Sequence, residues 1–197
     1  MKKYSILIIA LVLAFLAASV SFADQPPKQK PKSLEGIEIL TGFGSAKLRD
    51  KASYHFAPFL VSFNFSLKSL LEKINYKPKQ IFQFLIEPFL SYVHQPDNNI
   101  ETGTNFLLKV GLLPETSKFQ PYIKAGVGMV YMTQHTREQG TQFNFSEQVG
   151  AGIHYFFWKN TAFTIEGRYR HVSNAGMRKP NKGLQSYFAL VGISQQF

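Results

Sequence analysis

His171 and Ser173 stand two residues apart in the stretch Arg168-Tyr169-Arg170-His171-Val172-Ser173-Asn174-Ala175-Gly176, with Pro180-Asn181-Lys182-Gly183 shortly after. The run before Ser173 reads as a β-strand, and residues i and i+2 of a strand project from the same face. One imidazole and one hydroxyl are therefore presented side by side. An imidazole can take the proton of a neighbouring hydroxyl, so the pair is a candidate base and nucleophile. What it could act on depends on the face it occupies, and hence on the elements that carry it.

Eight alternating runs follow one another, over 36–46, 54–67, 80–93, 102–113, 119–133, 142–156, 161–173 and 184–197. Turn-forming residues separate them, among them Gln95-Pro96-Asp97-Asn98-Asn99, Lys159-Asn160 and the segment from Ala175 to Gly183. One short helix is expected near Leu67–Ile74. The runs are longer than ordinary globular strands and suit tilted strands that cross a bilayer. In Phe119–Tyr131, Phe119, Ile123, Val127, Met129 and Tyr131 share one face, and Gln120, Tyr122 and Lys124 share the other. Aromatic residues at both ends fit the interfacial girdles of a membrane barrel. Gly126, Gly128, Gly150 and Gly152 suit a narrow interior or strong curvature.

The expected fold is all-β, an eight-stranded antiparallel up-and-down transmembrane β-barrel over residues 36–197, its interior filled by side chains. In the last run, Tyr187, Ala189, Val191, Ile193 and Phe197 share one parity. A terminal Phe closing an alternating strand resembles the outer-membrane signal read by the bacterial barrel assembly machinery. The alternative, a soluble β-sandwich or lipocalin-like barrel, would not need an apolar outward face on nearly every strand.

Lys2 and Lys3 precede an uncharged run from Tyr4 to Ala23, and Ser21-Phe22-Ala23 has the small-x-small pattern of a cleavage site. Residues 1–23 are expected to be a secretory signal and 24–35 a flexible leader rich in Pro and Lys. An uncleaved anchor is the alternative; the small-residue site favours cleavage. There is no Cys and so no disulfide framework. The net charge is +10. The basic residues are scattered among strands and turns, which fits anionic lipid headgroups better than nucleic acid.

Within Phe163–Ser173 the odd positions are Phe163, Ile165, Gly167, Tyr169, His171 and Ser173. The even positions include Glu166, Arg168 and Arg170. The apolar parity must face lipid, so the three charges should lie inside as a paired core. His171 and Ser173 then face the bilayer at a strand end. With both termini periplasmic, the loop Asn174–Gly183 is outside the cell and the pair sits at the outer leaflet. The substrate class this implies is an acyl ester of an outer-leaflet lipid.

The string Arg-Tyr-x-His171-x-Ser173-Asn174-Ala175-Gly176 with Pro180-Asn181-x-Gly183 resembles the signature of the PagL-type lipid A 3-O-deacylases. Phe143-Asn144-Phe145-x-Glu147-Gln148-x-Gly150-x-Gly152-x-x-Tyr155-Phe156 is similar to that family as well. The resemblance implies a serine esterase of the outer membrane that removes the 3-position acyl chain of lipid A in lipopolysaccharide. It implies Ser173 as nucleophile and His171 as general base. It places oxyanion stabilisation at Asn174 and the backbone N–H of Gly176.

The chain departs from the family at the acid of the triad, whose position falls on Gln185. An amide carbonyl can accept from the imidazole Nδ1–H, but it cannot stabilise an imidazolium as a carboxylate does. Glu147 lies on the apolar parity of the sixth run, where a carboxylate is costly. Pairing Phe156 with Thr161 would put Glu147 opposite about residue 170, within one register step of His171. Glu147 is thus a candidate substitute acid. The alternative function is a barrel of the same family with weak or no catalysis and a structural or surface-interaction role. An adhesin would be expected to carry longer outer loops.

His55, His94, His135 and His154 lack metal-ligand spacing, so neither a metal nor a cofactor is expected. Arg178, Lys179 and Lys182 lie beside the pair and could meet lipid A phosphates. Lys68, Lys73 and Lys77 are as basic at the other end. Oligomeric state is not legible in these patterns.

Overall fold

The computed structural model describes residues 34–48 and 53–197. The expected signal segment and residues 24–33 of the leader lie outside the described residues. The strands are β1 (Leu34–Lys47), β2 (Ser53–Ser66), β3 (Gln80–Gln95), β4 (Asn99–Pro114), β5 (Phe119–Met132), β6 (Phe143–Phe156), β7 (Thr161–Ser173) and β8 (Leu184–Gln196). β1 includes Leu34 and Glu35, which the sequence reading assigned to the leader. A single helical turn, α1 (Lys68–Glu72), lies in the β2–β3 connection, tied to the β4–β5 turn by Lys68–Glu115 at 2.5 Å.

Each strand pairs antiparallel with the next, and β8 returns to β1, so the sheet closes with no free edge. Closure satisfies every strand's backbone groups within the sheet, as a lipid environment demands. The period-2 pattern decides which side chains enter. On β7, Ala162, Thr164, Glu166, Arg168, Arg170 and Val172 are buried, and Phe163 and Ile165 are exposed. The outward set on the other strands includes Leu90, Leu108, Ile123, Val127, Val149 and Val191. This is an apolar belt with the character of a lipid-facing surface.

The interior has two zones. Toward the rim that carries the β7–β8 loop it is apolar, with Leu40, Tyr54, Phe56, Val130, Met132, Val172, Leu184 and Phe188 in one cluster. Below lies a packed ionic core. Arg168 donates to Glu87 at 2.6 and 3.0 Å and through Nε to Glu166 at 2.7 Å. Lys124 meets Glu166 at 2.6 Å. Lys109 pairs with Glu38, which also accepts from Asn64 Nδ2 at 2.6 Å. His154 lies inside, with Nδ1 2.8 Å from Thr164 Oγ1.

Arg170 joins the two zones. It donates to Glu101 at 2.9 and 3.2 Å, and its guanidinium lies 5.1 and 5.0 Å from the Phe56 and Phe188 ring centres. Breaking such a buried pair by removing one partner costs about 3–5 kcal/mol. Glu166, Arg168 and Arg170 thus lock β7 across the lumen to β5, β3 and β4 respectively. They hold the opposite face of β7 steady, and that face carries His171 and Ser173.

Candidate active site

The register puts the candidate residues in one outward row. His171 on β7 pairs with Glu147 on β6 and with Gln185 on β8. Residues paired this way have their Cβ atoms roughly 4.5–5.5 Å apart. Glu147 and Gln185 are exposed, and His171 and Ser173 are half-buried. Among the described residues no side-chain hydrogen bond yet joins the imidazole to either flank or to Ser173. Catalytic hydrogen bonds are often long in a ligand-free site and tighten with substrate. The row offers the imidazole two alternative partners for its far nitrogen, an acid on one strand and an amide on the other.

Gly183 sets the position of the imidazole. A Cβ at this residue would lie 2.4 Å from Cε1, 3.2 Å from Nε2 and 3.3 Å from Nδ1 of His171. The ring therefore rests directly on the Gly183 backbone. Gly183 also has φ +71°, a left-handed conformation that glycine adopts without strain. Sequence reading included Gly183 only as a member of the motif.

Asn174 builds the loop. Its even parity sends the side chain inward, where it is fully buried. Nδ2 donates to the carbonyls of Arg178 at 2.7 Å and Pro180 at 3.2 Å. Oδ1 accepts from the N–H of Gly176 at 3.0 Å. The Asn174 N–H donates to Asn181 Oδ1 at 2.9 Å. The two groups expected at the oxyanion, the Asn174 amide and the Gly176 N–H, are thus engaged within the loop in this structure. They hold its shape immediately after Ser173.

The β5–β6 loop braces this arrangement from the side. Gln139 Nε2 donates to the Val172 carbonyl at 3.1 Å, and Gln139 forms a bridge with Asn181. Gly140 N–H donates to the Pro180 carbonyl at 2.7 Å, and Lys182 N–H donates to the Glu138 carbonyl at 2.9 Å. The sequence carries no signal for this contact, because it joins two loops of no shared pattern. Arg178, Lys179 and Lys182 are exposed around it. Among the described residues no cluster of His, Asp and Glu could hold a metal ion.

Ser173 also ends a row that runs down the outer wall. Ser173 pairs with Phe145, Phe145 with Met129, Met129 with Thr104, and Thr104 with Pro88. Ser173 is the last residue of β7, and Pro88 lies in the middle of β3. The row therefore descends from the rim to mid-wall. Along it lies an open apolar groove of about 550 Å³, lined by Phe59, Pro88, Thr104, Met129 and Phe143 among others.

The model of the family described as lipid A 3-O-deacylase (PagL) matches residues 57–194. A lipid A deacylase PagL of Pseudomonas aeruginosa is 32% identical over 71 residues, which are 34% of this chain and 39% of that protein. That alignment spans about two fifths of the relative's length. The crystal structure of the outer membrane enzyme PagL superposes with a TM-score of 0.58 at 16% identity, covering 79% of this chain and 97% of that one. Neisserial surface protein A superposes with a TM-score of 0.59 at 12% identity, covering 82% and 96%. These superpositions speak to the barrel fold, which both structures share with this chain. With the match over residues 57–194, the chain is an outer-membrane β-barrel that belongs to the lipid A 3-O-deacylase (PagL) family.

Proposed function

We propose that this protein is a serine esterase that hydrolyses the 3-position acyl ester of lipid A, working at the outer leaflet. The observation that carries the reading is the outward row Glu147–His171–Gln185 with Ser173 one step above His171 on the same face. Ser173 Oγ attacks the ester carbonyl and His171 takes its proton. The tetrahedral anion collapses, and His171 returns the proton to the leaving sugar alkoxide. A water then repeats the sequence on the acyl-Ser173 ester, releasing the fatty acid and the free serine. Donors beside the anion each contribute a few kcal/mol. The Asn174–Gly176 turn is the nearest source of them, and Gly176 N–H must leave Asn174 Oδ1 to serve. The groove further along the row, lined by residues of β2 to β6 and separated from Ser173 by Phe145, supports an acyl substrate, because it offers an apolar chain a seat in the wall's belt.

Glu147 supplies the carboxylate that Gln185 lacks, since it opposes His171 directly. Phe197, at the end of β8, is the contact for the barrel assembly machinery. The second reading is a family member without turnover, acting at the surface. It is favoured by Gln185 at the acid position.

The test is mass spectrometry of lipid A from cells making the wild type, Ser173→Ala or His171→Ala. The wild type should remove one ester-linked acyl chain and neither variant should. Heat-modifiable gel mobility would verify that all three barrels assemble. Undiminished deacylation by purified Ser173→Ala would end the esterase reading.

A further inference from the structure

The outward-facing strand positions from Gly36 onward are almost wholly uncharged. Among the described residues, their formal charges are Glu147 and Lys47. Both belong to the row of His171. Ala46 pairs with Ser186, so the next position toward the rim sets Lys47 beside Gln185. On its other side Lys47 pairs with Ser53. The row therefore reads Glu147, His171, Gln185, Lys47 around the barrel, with an acid at one end and a cation at the other. Lys47 is exposed and makes no ion pair among the described residues.

We propose that Lys47 anchors the phosphorylated sugar of the substrate and so fixes which way the substrate lies across the row. This deepens the deacylase reading and rests on it for the substrate's class. A lysine at the rim of a bilayer-facing wall carries its ammonium up to the headgroup level, where it can pair with an anion. At the rim, the available anions are headgroup phosphates. Two strand spacings, roughly 10 Å, separate the backbones at His171 and Lys47. A sugar carrying an ester and a phosphate, met by a flexible lysine stem, bridges that span.

The opposite orientation is disfavoured at both ends. It would bring the phosphate against the Glu147 carboxylate and turn the acyl chain away from the groove beyond Phe145. The acyl chain therefore goes toward β6 and the anionic head toward β8 and β1. Lys47 is a specificity residue, and it touches the substrate far from the reacting atoms.

The experiment measures binding in a Ser173→Ala background, in neutral detergent micelles, with lipid A and with enzymatically dephosphorylated lipid A. Lys47→Gln should weaken lipid A binding about five-fold, and Lys47→Glu should weaken it further. The preference for lipid A over its dephosphorylated form should shrink by the same factor, and it should also shrink as salt is raised. Lys73→Gln, at the opposite rim, should bind as the parent does. Equal lipid A affinity in the parent and in Lys47→Glu, with both barrels folded, would overturn the proposal. Binding without turnover keeps the two readings apart. A Lys47 effect in a protein that never hydrolyses lipid A would sink the esterase reading alone.

Discussion

The imidazole of His171 lies on the backbone of Gly183, with no room for a methyl group between them. The nearest ring atom, Cε1, would stand 2.4 Å from an added Cβ. Gly183→Ala should therefore displace the ring while leaving the barrel intact. A misplacement of about 1 Å in a catalytic group costs on the order of 10²-fold in rate. Purified Gly183→Ala is expected to lose lipid A deacylation by that order and to be destabilised only modestly, by about 1–3 kcal/mol, because Ala is strained at φ +71°. Full activity would mean that His171 works from another position.

In the proposed mechanism, Glu147 and Gln185 are alternative groups for orienting His171. Glu147→Gln should lower turnover at least tenfold, with ~10⁴-fold as the bound set by a wrong tautomer. Gln185→Glu introduced on top should restore much of the loss, because it returns a carboxylate to the other side of the same imidazole. A silent Glu147→Gln would leave Gln185 as the sole orienting group.

Asn174 should behave as a loop residue. Asn174→Ala removes two donors to the Arg178 and Pro180 carbonyls and the acceptor of the Gly176 N–H. Each buried group left unpaired costs about 1–3 kcal/mol. Limited proteolysis should nick residues 174–183 faster, and barrel melting should hardly change. Gln139→Ala, which removes one donor to Val172, should give a weaker version of the same result. An intact loop in Asn174→Ala with lost activity would instead favour a direct role at the oxyanion.

Topology has its own test. An impermeant thiol reagent applied to whole cells should label a Cys placed at Lys179 and leave one at Lys159 untouched. The reverse pattern would invert the barrel and move the row to the inner leaflet.

Strand number and parity were legible because a strand buries every second residue, and lipid makes the other face apolar too. The eight runs and the inward placement of Glu166, Arg168 and Arg170 follow from that period alone. Register across the β6–β7 turn was one residue off. Counting assumed that Phe156 meets Thr161, whereas it meets Ala162. The turn closes between Trp158 and Thr161, which leaves Phe157 as one extra residue on the β6 side. That single residue puts Glu147 opposite His171. The inward turn of Asn174 was readable from its parity, since it follows outward Ser173. The brace from Gln139 and Gly140 was not readable, because contacts between loops obey no period.

A closed wall with its candidate site on the outside would never enclose what it acts on. Any lipid reaching Ser173 arrives by sliding within one monolayer, and only from the side where β6, β7, β8 and β1 face. The relevant concentration is then a mole fraction in a two-dimensional fluid, and dilution of the cells leaves it unchanged. Rotation of the barrel about its own axis and the crowding of neighbouring lipids become part of the encounter rate. Rates measured in detergent should follow the lipid-to-detergent ratio within the micelle more closely than the amount of lipid in the tube.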